Sequence, residues 1–160
     1  MKIKIYTVGG TIDKVYFDSK SSFEVGEPQI VEVLREANLT VDYQVTSLMR
    51  KDSLALTDED RMTIRKAVQN SRAEHIVITH GTDTMIDTAK ALSGIAGKTI
   101  VLTGAMQPAR FRLTDAVFNI ASAMMAAEIL SAGVYIAMNG RIFDPQTSRK
   151  NVGLNRFEEI

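Results

Sequence analysis

The sequence contains no cysteine, which excludes a disulfide framework, a thiol nucleophile and a thiolate metal site together. Histidine is scarce: His75 and His80 are the only two, so a histidine-rich metal centre is not expected. Charge of one sign is missing as well. Lys plus Arg and Asp plus Glu are 19 each, which gives no electrostatic argument for nucleic acid or an anionic membrane. No apolar run approaches membrane-spanning length. The amino-terminal MKIKIYTV sets lysines inside an apolar alternation and reads as a strand, not as a leader peptide. These absences leave a cytoplasmic protein acting on a small molecule, without metal or cofactor. At 160 residues the chain is one domain's worth, residues 1–160, long enough to bury a core of its own.

What is present alternates strands with helices. Residues 2–8 form a strand that ends at Gly9-Gly10-Thr11, and a polar loop follows through Ser22. Pro28 suits a first helical turn, with Ile30, Val31, Leu34 and Ala37 on one face. A second strand over 41–49 leads to Lys51-Asp52-Ser53. Thr57 with Asp58, Glu59 and Asp60 then marks a helix start, with Ile64, Ala67 and Val68 packing inward. The stretch 76–90, IVITHGTDTMIDTAK, begins as a buried strand, breaks at Gly81 and resumes at helical spacing. Strands over 99–103 and 134–138 follow, separated by a helix from about Thr114 whose girth is mostly apolar. Asn139-Gly140 turns the last strand back into Arg141-Ile142-Phe143. Residues 144–160 are polar and irregular and carry no firm assignment.

Five strands separated by helices predict a doubly wound parallel sheet in a three-layer, Rossmann- or flavodoxin-like α/β fold. In such a sheet the loops after successive strands converge on one edge. They hold Thr11, Ser53, Thr82 with Asp83, Ala105 and, after the terminal hairpin, Lys150. Hydroxyls, a carboxylate and an amine at one rim are the parts for hydroxyl-nucleophile chemistry without histidine, a lysine serving as base and an acid orienting it. Plainer accounts exist for each residue. Thr11 can cap a turn, Thr82 or Asp83 can cap the next helix, and Lys150 beside Arg149 can be solvated surface. His80 suits a loop support better than a base, and Arg110 and Arg112 can pair with Asp115.

The segments VGGTIDK at 8–14 and ITHGTDTMIDTA at 78–89 resemble the two signature motifs of the bacterial-type L-asparaginase family. VLTGAMQPAR with DAVFN at 101–119 and GVYIAMNGRIFDPQTSRK at 133–150 resemble two further stretches of it, in the same order. The resemblance implies the amino-terminal domain type of that family and hydrolysis of L-asparagine to L-aspartate and ammonia through a threonine acyl-enzyme. Thr11 is then the nucleophile, and Thr82, Lys150 and Asp83 form the group that activates nucleophile or water. Ser53 is implied to hold the substrate carboxylate, Thr82 and Asp83 to contact substrate, and Ala105 to offer its backbone near the amide. The mobile-loop tyrosine falls on Tyr16, although counting back from Val25-Gly26 reaches Phe23 instead. Leu54 and Gln107 depart from the family pattern. The resemblance stops where a linker to the family's carboxyl-terminal domain begins, so that domain and the acid it lends to a neighbouring subunit are expected to be absent. A homo-oligomer, dimer or tetramer, is expected through the apolar helix that starts at Thr114. Two other readings stay open: a non-catalytic amino-acid-binding module, and an amidase for a related substrate such as glutamine.

Overall fold

The computed structural model describes residues 2–16 and 22–160. In chain order it comprises β1 (Lys2–Gly9), β2 (Lys14–Tyr16), β3 (Phe23–Val25), α1 (Ile30–Glu36), β4 (Asp42–Lys51), α2 (Asp58–Asn70), β5 (His75–Thr79), α3 (Met85–Ala91) and β6 (Thr99–Thr103). Then come α4 (Ala116–Ile129), β7 (Gly133–Met138), β8 (Arg141–Phe143), β9 (Ser148–Asn151) and β10 (Arg156–Glu159). A six-stranded sheet runs in the order β4-β1-β5-β6-β7-β8. Its first five strands are parallel and β8 returns antiparallel through the Asn139-Gly140 turn. The expected α/β fold is therefore present, with strand order reversing beside β1.

Side-chain alternation along the strands builds a core on each face. Tyr6, Val8, Ile76, Ile78, Ile100 and Leu102 meet α2 and α3 through Ile64, Val68, Met85 and Leu92. On the other face Ile3, Ile5, Val77 and Val101 meet α1 and α4 through Ile30, Leu34, Ile120 and Ala123. The rest of the α2 helix is mostly polar, so burial of Ile64 and Val68, worth about 1.5–3 kcal/mol each, anchors it to the sheet. A capping box starts it: Thr57 Oγ1 accepts the Asp60 N–H at 3.2 Å, and Asp60 Oδ2 accepts the Thr57 N–H at 2.9 Å.

The structure amends the sequence reading in four places. The loop through Ser22 contains a small hairpin, β2 with β3, and the stretch after 144 contains another, β9 with β10. The buried face of α4 is Ala116, Asn119, Ile120, Ala123, Met124, Ala126 and Ala127, while Val117, Phe118, Met125 and Ile129 are exposed. Ala37 is exposed, and α1 buries only Ile30 and Leu34. The α1 helix begins at Ile30, after Pro28, with Gln29 at the cap position. No helix among the described residues is long and apolar enough to cross a membrane.

Candidate functional site

The turn after β1 fixes the geometry. Gly10 has a φ of 93°, a conformation that favours glycine, and it lies directly against the backbone of Gly81 in the loop after β5. Thr11 and Thr82 each follow one of these touching glycines at the carboxyl edge of the sheet. Gly81 also meets Ser53. A methyl group on Gly81 would stand 2.5 Å from Ser53 Cβ and 2.6 Å from its Oγ. The loops after β1, β4 and β5 thus interlock where no side chain fits.

Lys150 closes this edge from β9. Its Nζ donates to Thr82 Oγ1 at 2.8 Å and to Asp83 Oδ1 at 2.6 Å. The lysine side chain is 13% exposed and that of Asp83 39%, so the pair sits where interior gives way to solvent. Because Thr82 Oγ1 accepts from Lys150, its own proton is directed elsewhere. Neither Thr82 nor Asp83 caps the following helix: Thr84 occupies the cap position of α3, and its hydroxyl instead donates to the Ser53 carbonyl at 2.8 Å.

Ser53 is 2% exposed and opens a 3-10 turn over Ser53–Ala55. Asp52, which the sequence reading passed over, caps that turn by accepting the Leu54 N–H at 3.1 Å. Lys14 Nζ lies 3.2 Å from the other Asp52 oxygen. The Leu54 N–H first, then Lys14, and the Lys150 charge beyond it hold the Asp52 carboxyl below its ordinary range. Two ion pairs, Lys14 with Asp52 and Lys150 with Asp83, therefore stand at this edge, and the Lys150 charge reaches Asp52 as well. Asp52 stands in the same post-strand loop as Ser53, and the topological argument that singled out the serine applies equally to it.

Ala105 is 1% exposed and packs into the core on the α1 and α4 face of the sheet. Asp115 holds its loop by accepting the N–H groups of Met106 and Gln107 at 2.9–3.1 Å, and Asn119 Nδ2 donates to the Gly104 carbonyl at 2.9 Å. Asp115 is thus a backbone staple. Among the described residues it forms no ion pair with Arg110 or Arg112, and Arg110 Nε donates to Gln29 Oε1 at 2.9 Å. The Ala109 N–H donates to the Ile12 carbonyl at 3.0 Å, which ties this loop to the Thr11 turn.

Tyr16 lies on the β2–β3 hairpin. It ends β2, is 55% exposed, and packs edge-on against Phe23, its register partner, with ring centroids 5.4 Å apart. The two candidate positions for the mobile-loop aromatic therefore share one flap, and residues 17–21 lie outside the described residues.

His80 is fully buried and serves the loop. Its Nδ1 is 2.6 Å from the Gly81 carbonyl, which requires a proton there, and its Nε2 is 2.8 Å from Thr88 Oγ1 and accepts from it. Burial pushes the imidazole down to about 4, so it stays neutral. Among the described residues no three His, Asp or Glu side chains converge as a cation site.

Comparison with known proteins decides the family. Residues 2–157 match the family described as "Asparaginase, N-terminal". The chain belongs to the asparaginase family. The L-asparaginase of Thermococcus kodakarensis is 32% identical over 170 residues, covering 100% of this chain and 51% of that protein. A glutamyl-tRNA(Gln) amidotransferase polypeptide of Methanococcus vannielii is 47% identical over 83 residues, covering 51% of this chain and 19% of that one. Among solved structures, that of the thermostable L-asparaginase from Thermococcus kodakarensis superposes with a TM-score of 0.86 at 28% identity, over 100% of this chain and 51% of that one. This asparaginase-family chain thus spans about half the length, or less, of these relatives. Its glycine contacts and its Lys150 cluster lie on the segments that carry the two signature motifs and the 133–150 resemblance.

Proposed function

We propose that this domain, residues 1–160 as one unit, carries the reacting groups of an asparaginase-type amidohydrolase that converts L-asparagine to L-aspartate and ammonia. Thr11 Oγ attacks the side-chain amide carbon, and its proton passes to the Thr82–Lys150 pair and on to the departing nitrogen. Ammonia leaves, and the acyl group remains as an ester on Thr11. Water activated by the same pair then cleaves the ester, releasing aspartate and restoring the Thr11 hydroxyl. Asp83 orients Lys150 and, with Ser53 and the Ala105 backbone, positions substrate, while Tyr16 closes over it from the flap. The observation that carries this reading is the pair of Lys150 hydrogen bonds, to Thr82 and Asp83, made across 68 and 67 residues of sequence. No cofactor is required. Assembly into a homo-oligomer, dimer or tetramer, completes the proposal. It is supported by the exposed apolar stripe of Val117, Phe118, Met125 and Ile129 on α4, and sedimentation of a monomer at high concentration would argue against it.

The test is ammonia release by the purified protein from L-asparagine, run beside L-glutamine. Asparagine-dependent release that is lost in Thr11→Ala is the expected result. Release from glutamine alone would move the assignment to the related amide. Saturable aspartate binding with no ammonia from either amide would replace the enzyme with an amino-acid-binding module.

A further inference from the structure

At the opposite, amino edge of the sheet, the start of β1 and the segment after α2 border an open cavity of about 500 Å³. Lys2, Lys4, Arg72, Tyr6, Gln44 and Ser71 line it, and none of its lining residues is acidic. We propose that this cavity binds a small, multiply charged oxyanion, a phosphoryl compound or a polycarboxylate, between Lys2, Lys4 and Arg72. The site is separate from the reaction proposed at the carboxyl edge and does not depend on it.

Ion pairing leaves the charges of the cluster uncompensated. The chain has equal numbers of acids and bases, and many of its lysines and arginines are in ion pairs, among them Lys14, Lys51, Arg50, Arg61 and Arg149. Lys2, Lys4 and Arg72 have no ion-pair partner among the described residues. Asp42 is the register partner of Lys2 and Glu74 follows Ala73 in sequence, but neither lines the cavity. Lys2 and Lys4, two apart on one strand, face the same side of the sheet, a like-charge arrangement that disfavours itself. Burial and the Lys2 charge accordingly push the Lys4 ammonium down, and an anion seated between the cations relieves both effects.

The walls are already ordered. Lys4 Nζ donates to Thr46 Oγ1 at 2.6 Å and lies 5.2 Å from the Tyr6 ring centroid, which fixes the ammonium while leaving it further donors. Tyr6 is itself held by its hydroxyl, which donates to the Ala67 carbonyl at 3.0 Å. Lys98 Nζ donates to the carbonyls of Ser71 and Ala73 at 2.7 and 2.8 Å. Those bonds pin the backbone on either side of Arg72 and cover two carbonyls just beyond α2 that would otherwise repel an anion. Planar guanidinium, fixed ammonium, amide and hydroxyl together suit an oxyanion with several acceptor oxygens.

Calorimetric titration with sodium pyrophosphate and, separately, with citrate, at an ionic strength held constant with sodium chloride, tests the site. One saturable site is expected for at least one probe, weakened at least about tenfold in Lys4→Met and in Arg72→Ala. It should be unchanged in Lys90→Gln, which alters an exposed α3 lysine away from the cavity. Tighter pyrophosphate assigns a phosphoryl ligand, and tighter citrate a polycarboxylate. Heats no larger than those of chloride would overturn the proposal. So would undiminished binding in both cavity variants, or equal weakening in Lys90→Gln, which would mark a general surface-charge effect.

Discussion

Asp13 lies in the same 3-10 turn as Thr11, is 2% exposed, and accepts the Gln29 N–H at 2.8 Å, joining the Thr11 turn to the start of α1. Burial raises its carboxyl from the ordinary 3.8 to about 6, against the opposing pull of the Gln29 N–H and the Arg50 charge. The native state therefore holds this proton more tightly than the unfolded chain. Below 3.8 both states are protonated and there is no penalty. Between 3.8 and about 6 the unfolded chain has released the proton and the native state has not, so stability falls as pH rises. Above that window the penalty is complete. At about 1.4 kcal/mol per pH unit it amounts to about 3 kcal/mol. Asp13→Asn keeps an acceptor for Gln29 and removes the ionisation. Its buried amide adds a donor, which subtracts about 1–3 kcal/mol at all pH values. The clean observable is therefore the difference between variant and parent in urea unfolding from pH 3.5 to 7.5, in which other titrating groups cancel. Relative to the parent, the variant should gain about 3 kcal/mol across this range. Parallel stability curves for the two proteins would refute the reasoning.

His80 works in the opposite direction in nearly the same window. Its native value near 4 lies below the ordinary 6.5, so its contribution is lost as pH falls through that interval, and its ring protons should show no titration above about pH 5 by NMR. A ring that titrates near 6.5 would place His80 in solvent. Gly81→Ala should destabilise the fold by about 2 kcal/mol or more in urea unfolding, because the new methyl would lie 2.5 Å from Ser53 Cβ; an unchanged midpoint would show that the loops can separate. Thr82→Val and Lys150→Met should each lower ammonia release on the order of a thousandfold, and the double variant should fall little further, since the two groups act as a unit. Additive losses in the double variant would assign them independent roles.

How legible each part was follows from how it is held. The five parallel strands could be read because β5 and β6 are buried on both faces and show as continuous apolar runs, while glycines mark the carboxyl ends. The capping box of α2 is a local signal and survives in isolation. The hairpins β2–β3 and β9–β10 have strands of three or four residues, mostly polar and with no sustained period, so nothing local distinguishes them from loop. Their stability comes from elsewhere in the fold. Phe157 is buried 6.2 Å from Phe143, ring centroid to centroid, and its N–H donates to Asn139 Oδ1 at 2.8 Å. A single buried aromatic in a polar tail was the available clue. The buried face of α4 could not be read for the converse reason: a helix apolar around most of its girth has no periodic contrast, and the sheet alone decides which side it covers.

The same hairpin decides which of two adjacent cations reaches the candidate site. Arg149 and Lys150 are indistinguishable as charges, and in an unstructured tail either could approach Asp83. In the β9–β10 pairing Lys150 is opposite Phe157 and Arg149 opposite Glu158. Cross-strand partners share a face, so the buried Phe157 draws Lys150 inward with it, while Arg149 turns outward to Glu158 at 2.7 Å. A slip of one residue would exchange them, putting a guanidinium against Thr82 and the ammonium in solvent. A guanidinium stays protonated at any working pH and could not take a proton from a hydroxyl, so the exchange would remove the proposed chemistry while leaving the charge count unchanged. The identity of the base in this reading is therefore set by a hydrophobic residue seven positions downstream, through the register that its burial enforces.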